Sequence, residues 1–150
     1  AELEAQQAWY SQTLTMLERD PAVVFIIVAC HHAPFSNSKI VGSSKNVQKY
    51  FVPSFLSSTK ARLFITGHSH NYELFRHGVK DFLVIGGGGG LSQPLSDKED
   101  KLNDISTTYK PQFHYIQMQR APGRLCLTSR YLKPDFSGFT EGLSISVSYP

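Results

Sequence analysis

Three of the six histidines in this chain stand where they could bind metal. His68 and His70 belong to the run G-H-S-H-N at residues 67–71, directly after an apolar segment, and His31 follows a second apolar segment that begins at residue 23. In extended backbone, residues two apart point the same way, so the spacing predicts that His68 and His70 present both imidazoles to one side. Imidazole is the commonest protein metal ligand, because it is largely uncharged near neutral pH and offers a nitrogen lone pair. The pattern therefore predicts a metal site at the ends of two strands.

The length and composition predict one globular domain. The apolar fraction of 41% and the charged fraction of 18% are ordinary for such a domain of 150 residues. The net charge of +3 is spread along the chain without a basic stripe, so no nucleic-acid partner is indicated. No apolar run approaches the roughly 20 residues of a membrane-spanning helix, so no membrane span is expected. Cys30 and Cys126 fit no zinc or redox spacing, and we expect each to be a small buried thiol.

Apolar periodicity predicts a helix over residues 2–19 and strands at 23–29 and 62–66, the first of them buried on both faces. A second helix is expected over residues 46–56, although Pro53 in its middle opposes it. The residues that fall on the apolar face of the first helix are Ala5, Ala8, Trp9, Met16 and Leu17.

The rest of the chain is mainly β. Strands are expected at residues 72–75 and 81–85 around a turn at 76–79, and a hairpin of strands 113–119 and 125–131 around A-P-G at 121–123. Residues 93–110 predict a long loop, and the tail from residue 133 receives no assignment. We therefore expect an α/β layered sheet with an antiparallel extension. If the strands before the histidines run parallel, their ends meet at one sheet edge, where sites in such sheets form.

The runs V-A-C-H-H-A-P-F at residues 28–35 and G-H-S-H-N-Y-E-L-F at residues 67–75 resemble the last two metal motifs of the calcineurin-like metallophosphoesterases. The purple acid phosphatase branch, with its V-x-x-H and G-H-x-H-x-Y-E signatures, is the most similar. The resemblance covers about residues 1–90, and residues 91–150 would be the β-rich remainder of the same domain. It implies a layered α-β-β-α sandwich, of which this chain would be the C-terminal portion, and metal-dependent hydrolysis of phosphoesters.

The same resemblance implies a dinuclear centre in which His31 and His68 bind one metal ion and His70 binds the other. The ions would be divalent or trivalent iron, zinc or manganese. Family members complete this centre with carboxylates from D-x-H or D-x-G, G-D and G-N-H-[DE] motifs, none of which occurs here. Three imidazoles without a bridging aspartate cannot hold two ions about 3.5–4 Å apart.

These missing motifs, and a start at residues 1–4 that is neither an initiator methionine nor a signal peptide, favour a chain cut from a longer protein. Its partners would then be the N-terminal half of the same domain and a phosphoester substrate, and the isolated chain would be inactive. The sequence does not indicate the kind of phosphoester, the compartment or the oligomeric state.

Other residues that could do chemistry have plainer interpretations. The glycine run 86–90 lacks the lysine and hydroxyl of a phosphate loop, so we expect a strand end that needs close backbone approach. The G-H-S-H-N run nearly matches the nucleophile elbow G-x-S-x-G, which would make Ser69 an acyl-transfer nucleophile, but Asn71 replaces the last glycine. The cluster at residues 36–38 either touches substrate or forms an ordinary turn.

The remaining histidines have no partner pattern. His32 would line the pocket or pack locally, and His77 and His114 would have surface or packing roles. Tyr72 and Glu73 follow the family pattern and equally suit a plain strand.

Two functions stay open. The first is phosphoester hydrolysis by the dinuclear centre, with the carboxylates supplied by the N-terminal half or by a separate chain. The alternative is a non-catalytic metal-binding or interaction module derived from the same fold.

Overall fold

The computed structural model describes residues 2–106 and 112–149 of the chain. In this part the helices and strands are, in chain order, α1 (Glu2–Arg19), β1 (Ile26–Cys30), α2 (Lys45–Tyr50), α3 (Val52–Ser57), β2 (Ala61–Thr66), β3 (Tyr72–His77), β4 (Lys80–Ile85), β5 (His114–Ala121), β6 (Arg124–Leu132) and β7 (Phe139–Ser148). No helix in these residues is long and apolar enough to cross a membrane.

The first sheet has the strand order β1-β2-β4-β3. β1, β2 and β4 are parallel, and β3 forms an antiparallel hairpin with β4. Cys30 at the end of β1 lies opposite Thr66 at the end of β2, so both strands leave the sheet at the same edge. This confirms the expectation that the histidines that follow the two strands meet there.

The second sheet is antiparallel, with the order β5-β6-β7. β5 and β6 form the predicted hairpin, whose turn is closed by Gly123 at a φ of +67°. β7 received no prediction, although Leu143, Ile145 and Val147 alternate with serines in the pattern of a half-buried strand. Their side chains pack into the core between the two sheets.

Two apolar clusters define the layers. One lies between the helices and the outer face of the first sheet, and includes Tyr10, Leu14, Val47, Phe55, Phe64 and Phe82. The other lies between the two sheets, and includes Leu63, Tyr72, Leu74, Leu83, Leu125 and Leu127. The described residues thus form three layers, helix, sheet and sheet, which is the mixed α/β layered fold class expected from the sequence.

The buried face of α1 differs from the predicted one. Trp9 and Met16 are 64% and 63% exposed, whereas Tyr10 and Leu14 are buried and Leu17 is half-buried. The spacing of Tyr10, Leu14 and Leu17 is also that of one helix face. This face is the buried one because the Tyr10 ring packs edge-on against Phe51. The assignment of Ala5, Ala8, Trp9 and Met16 to the buried face was therefore wrong.

The strand before His31 is not buried on both faces. β1 pairs with β2 alone among the described strands, and Ile27 is 40% exposed. Cys30 is exposed and Cys126 is half-buried, so the prediction of a buried thiol was wrong for Cys30. β1 is an edge strand here, and an apolar parallel strand at an open edge is unusual because parallel sheets are normally covered.

The predicted helix 46–56 is divided into α2 and α3 at Phe51. Pro53 stands in the first turn of α3, where the missing backbone N–H costs no hydrogen bond. Ser44 caps α2 by accepting a hydrogen bond from the Val47 backbone N–H.

Candidate metal centre

Two imidazoles face each other at the shared exit of β1 and β2. His31 Nε2 and His68 Nδ1 are 3.1 Å apart, and the two ring centroids are 4.9 Å apart. Two nitrogens bound to one tetrahedral ion at about 2.0–2.1 Å lie about 3.3 Å from each other. The separation is that of a hydrogen bond between the two rings, and it is also close to the spacing of two nitrogens on a single metal ion.

The backbone at His68 is not extended, so the predicted reason for its orientation was wrong. Residues 68–71 form a series of bends, and His68 has a φ of +59°. This left-handed conformation is uncommon for a residue with a side chain, and such residues cluster at functional sites. The close pairing of His68 with His31 is thus produced by a bend at the strand end and not by the pleat of a strand.

The environment of His68 favours its neutral form. Burial lowers the pKa of His68 below its ordinary value, and the neighbouring imidazoles of His32, His31 and His70 lower it further. A neutral ring keeps the lone pair that a metal ion binds. Both the electrostatics and the geometry at His68 therefore suit a metal ligand.

His70 is held by the glycine-rich loop that follows β4. Its Nδ1 lies 2.9 Å from the Leu91 carbonyl oxygen. With Nδ1 donating to this oxygen, Nε2 is the nitrogen that remains free to bind a metal ion. Within residues 2–106 and 112–149, no group of three His, Cys, Asp or Glu side chains is placed to hold one ion. The structure thus brings the rings of His31 and His68 together, and His70, which is near enough to lower the pKa of His68, completes no three-residue site with them among the described residues.

The glycine run is a place of close approach, as its pattern predicts. A Cβ on Gly86 would overlap the Ser69 carbonyl, and a Cβ on Gly90 would meet the His70 ring. A Cβ on Gly87 would meet the ring of His114. The run therefore packs directly against the bend that carries His68 and His70.

A buried carboxylate beneath the histidines was not recognised in the sequence. Glu73 is fully buried at 0% exposure, and burial raises its pKa to about 7 although hydrogen bonds from Ser36 and Asn37 oppose the shift. Glu73 Oε2 accepts from the Ser36 hydroxyl at 2.6 Å, and Oε1 accepts from the Asn37 backbone N–H at 2.7 Å. The only signal for it was the Y-E pair in the run 67–75.

Residues 36–38 form part of the hydrogen-bonded network around Glu73. All three side chains are buried, and Ser36 is hydrogen-bonded to Ser69 as well as to Glu73. These contacts favour the turn interpretation over direct substrate contact. Ser69 itself has 0% exposure, so it is closed off from any substrate and the nucleophile interpretation is wrong.

The other histidines separate into two groups. The ring of His32 is exposed and lies 4.4 Å from that of His68 between centroids, so it borders the site. His77 lies exposed at the far end of β3. His114 is buried against Tyr72 and Tyr131, which confirms a packing role.

The sequence matches no protein-family model and no curated protein. Among solved structures, the chain is similar to GAP50, the anchor in the inner membrane complex of Plasmodium, with a TM-score of 0.72 and 16% identity over 95% of this chain. It is also similar to Vps29 of Entamoeba histolytica complexed with zinc, with a TM-score of 0.45 and 19% identity over 74% of this chain.

The chain spans 41% of the GAP50 chain and 51% of the Entamoeba Vps29 chain. At these identities the likeness concerns the fold alone. The likeness to GAP50 agrees with the layered mixed α/β architecture that the sequence predicts.

Proposed function

We propose that this chain is the histidine-bearing, C-terminal part of a metallophosphoesterase domain, and that the complete domain hydrolyses phosphoesters at a dinuclear metal centre. In this centre His31 and His68 bind one ion, and His70 binds the other. The observation that carries the proposal is the 3.1 Å separation of His31 Nε2 and His68 Nδ1 at the end of two parallel strands. Imidazole donors suit zinc and iron, and the family resemblance also allows manganese.

The division of the histidines supports two ions. His31 and His68 face each other, while the hydrogen bond from His70 to the Leu91 carbonyl holds that ring separately. A second ion on His70 needs further ligands, and a shared carboxylate would both space the ions and neutralise their charge. The proposal assigns these carboxylates to the N-terminal half of the domain.

The open edge of β1 supports a partner for the sheet. The backbone of β1 is paired on one side only among the described strands, and its exposed residues include Ile27. A strand of the N-terminal half added at this edge would cover the apolar side chain and satisfy the free N–H and C=O groups. It would also arrive next to the exit of β1, where His31 stands.

In the complete site the residues of this chain bind and orient. Bound metal ions supply an activated water and neutralise charge on the phosphoryl oxygens. The neutral ring of His68 keeps its lone pair available near pH 7, because its pKa is lowered. The Leu91 carbonyl fixes which nitrogen of His70 carries the proton.

The alternative is a non-catalytic module that uses the same fold to bind one ion or a protein partner. Within the described part of the chain no Asp or Glu joins the histidines in a three-residue site, which both functions allow. GAP50, which is similar in fold over 95% of this chain, is an anchor in a membrane complex. The metal-binding form of this alternative shares the His31–His68 ion with the main proposal, and both forms differ from it in activity.

The test is zinc binding by the chain, measured by calorimetry. We expect the wild type to bind Zn²⁺, and His31→Ala or His68→Ala to weaken binding on the order of 100-fold, because either change leaves one nitrogen of the facing pair. His77→Ala is the matched control, since this histidine lies exposed at the far end of β3. It should leave the affinity unchanged.

Activity separates the two functions. In the complete protein, hydrolysis of p-nitrophenyl phosphate should fall together with metal content when His68 is replaced by alanine. Unchanged activity and metal content in that variant would contradict the proposal. A complete protein that binds metal and hydrolyses no phosphoester would favour the non-catalytic module.

A further inference from the structure

A single buried carboxylate connects the two segments that carry the histidines. We call residues 31–38 the first ligand loop and residues 67–71 the second. Glu73, the second residue of β3, accepts one hydrogen bond from the Ser36 hydroxyl and another from the Asn37 backbone N–H, both in the first loop. Ser36 Oγ in turn makes a 2.9 Å hydrogen bond with Ser69 Oγ in the second loop.

Two other bonds join these loops, both where the strands end. The Gly67 N–H donates to the His31 carbonyl at 3.1 Å, and the rings of His31 and His68 meet at 3.1 Å. Farther from the strand ends, the path through Ser36 fixes the second loop at the residue between His68 and His70. The geometry of this hydrogen-bonded path therefore sets the position of the first ligand loop relative to His68 and His70 in the second.

A second buried carboxylate, that of Asp81, differs from Glu73 in its partners and in its place in the sheet. Asp81 is 2% exposed at the start of β4, and its two oxygens are bound by Arg76 at 2.6 and 2.9 Å. It lies at the opposite end of the sheet from the histidines, because the exits of β2 and β4 are at their other ends. Asp81 is neutralised by a partner cation, whereas Glu73 is bound by neutral groups, among them the Ser36 hydroxyl and the Asn37 backbone N–H.

Burial of a carboxyl group among neutral donors costs free energy that an apolar side chain would not cost. We propose that Glu73 is a positioning residue, which locks the first ligand loop against the second and thereby sets the distance between His31 Nε2 and His68 Nδ1. The affinity of the site for metal follows from that distance. The loop restraint is independent of any metal, and its effect on metal affinity rests on the proposed function.

The experiment compares Glu73→Ala, Glu73→Gln and the control Asp81→Ala in the full chain. Amide hydrogen exchange of residues 31–38 and 67–71 is measured without metal, and Zn²⁺ affinity is measured by calorimetry at pH 7.5. In Glu73→Ala we expect exchange in both loops to rise about tenfold or more, and Zn²⁺ affinity to fall about 10–100-fold. The glutamine variant keeps an acceptor for Asn37 and a polar group at Ser36, so both values should stay within about threefold of the wild type.

Asp81→Ala should lower the global stability while the loops and the Zn²⁺ affinity stay unchanged. If Glu73→Ala does not fold, Ser36→Ala tests the same path. It removes the hydroxyl between Glu73 and Ser69 and leaves the bond to Asn37, so we expect both effects in the same direction and smaller.

The outcomes separate the two proposals. Loops that loosen in Glu73→Ala, in a chain that binds no Zn²⁺ in any form, would support the restraint and overturn the metal site. Wild-type and Glu73→Ala chains with equal Zn²⁺ affinity and equal exchange would overturn the positioning role and leave the metal site standing. Equal losses in Glu73→Ala and Asp81→Ala would also overturn it, since they would reflect general destabilisation.

Discussion

Gly86→Ala is expected to lower the free energy of unfolding by about 3 kcal/mol or more. The new Cβ would overlap the Ser69 carbonyl oxygen, lie 2.7 Å from the Ser69 carbonyl carbon and lie 3.2 Å from the His70 Cα. All three are backbone atoms of the bend that carries the histidines, so no side chain can move aside to make room. The Gly86 N–H also donates to the Asn71 carbonyl at 3.0 Å, and this bond would be strained by any shift of the strand end.

Gly88→Ala is the matched control, two residues away in the same run. A Cβ at Gly88 meets nothing within 4 Å. Its effect should stay within about 0.5 kcal/mol in urea or thermal unfolding. Equal stability of the two variants would contradict the close approach of the glycine run to the second ligand loop.

The second large effect is a dependence of stability on pH that comes from Glu73. Burial raises its pKa from 4.5 in the unfolded chain to about 7 in the folded one. The folded state therefore binds the proton more tightly, so the stabilisation by this group is complete below pH 4.5 and is lost as the pH rises through 7. Across that window the contribution amounts to about 3 kcal/mol.

The measurement is the free energy of unfolding in urea for the wild type and Glu73→Gln at several pH values. Glutamine resembles the protonated carboxyl group and does not titrate, and the difference cancels the contributions of the histidines. We expect the wild type to gain stability relative to Glu73→Gln as the pH falls from 7.5 to 4.5. A difference that stays flat over this range would show that Glu73 is not held in a buried, protonated form.

Much of the fold could be predicted because it depends on local pattern. The β-branched and apolar runs gave β2 and β4, the A-P-G turn gave the β5–β6 hairpin, and α1 matched its predicted bounds. The meeting of His31 and His68 followed from the parallel pairing of two strands. The strand, turn and helix patterns need only neighbouring residues, whereas the meeting of the histidines also needs this pairing between two distant strands.

The features that were not predicted from the sequence depend on contacts between distant parts of the chain. The choice of Tyr10 over Trp9 on α1 depends on Phe51, which is 41 residues from Tyr10. The burial of Glu73 depends on hydrogen-bond donors in the first ligand loop, and a lone glutamate in a strand gives no sign of them. The left-handed backbone of His68 could not be predicted either, since that conformation is rare outside glycine.

We propose that His31 and His68 bind one metal ion, through Nε2 and Nδ1 respectively. The most direct test is an NMR measurement of the imidazole ring ¹⁵N resonances of the full chain, before and after one equivalent of Zn²⁺. We predict that the resonances of His31 Nε2 and His68 Nδ1 shift together, while those of His77 and His114 stay in place. Unchanged resonances at both nitrogens, or shifts confined to His77 and His114, would contradict the claim.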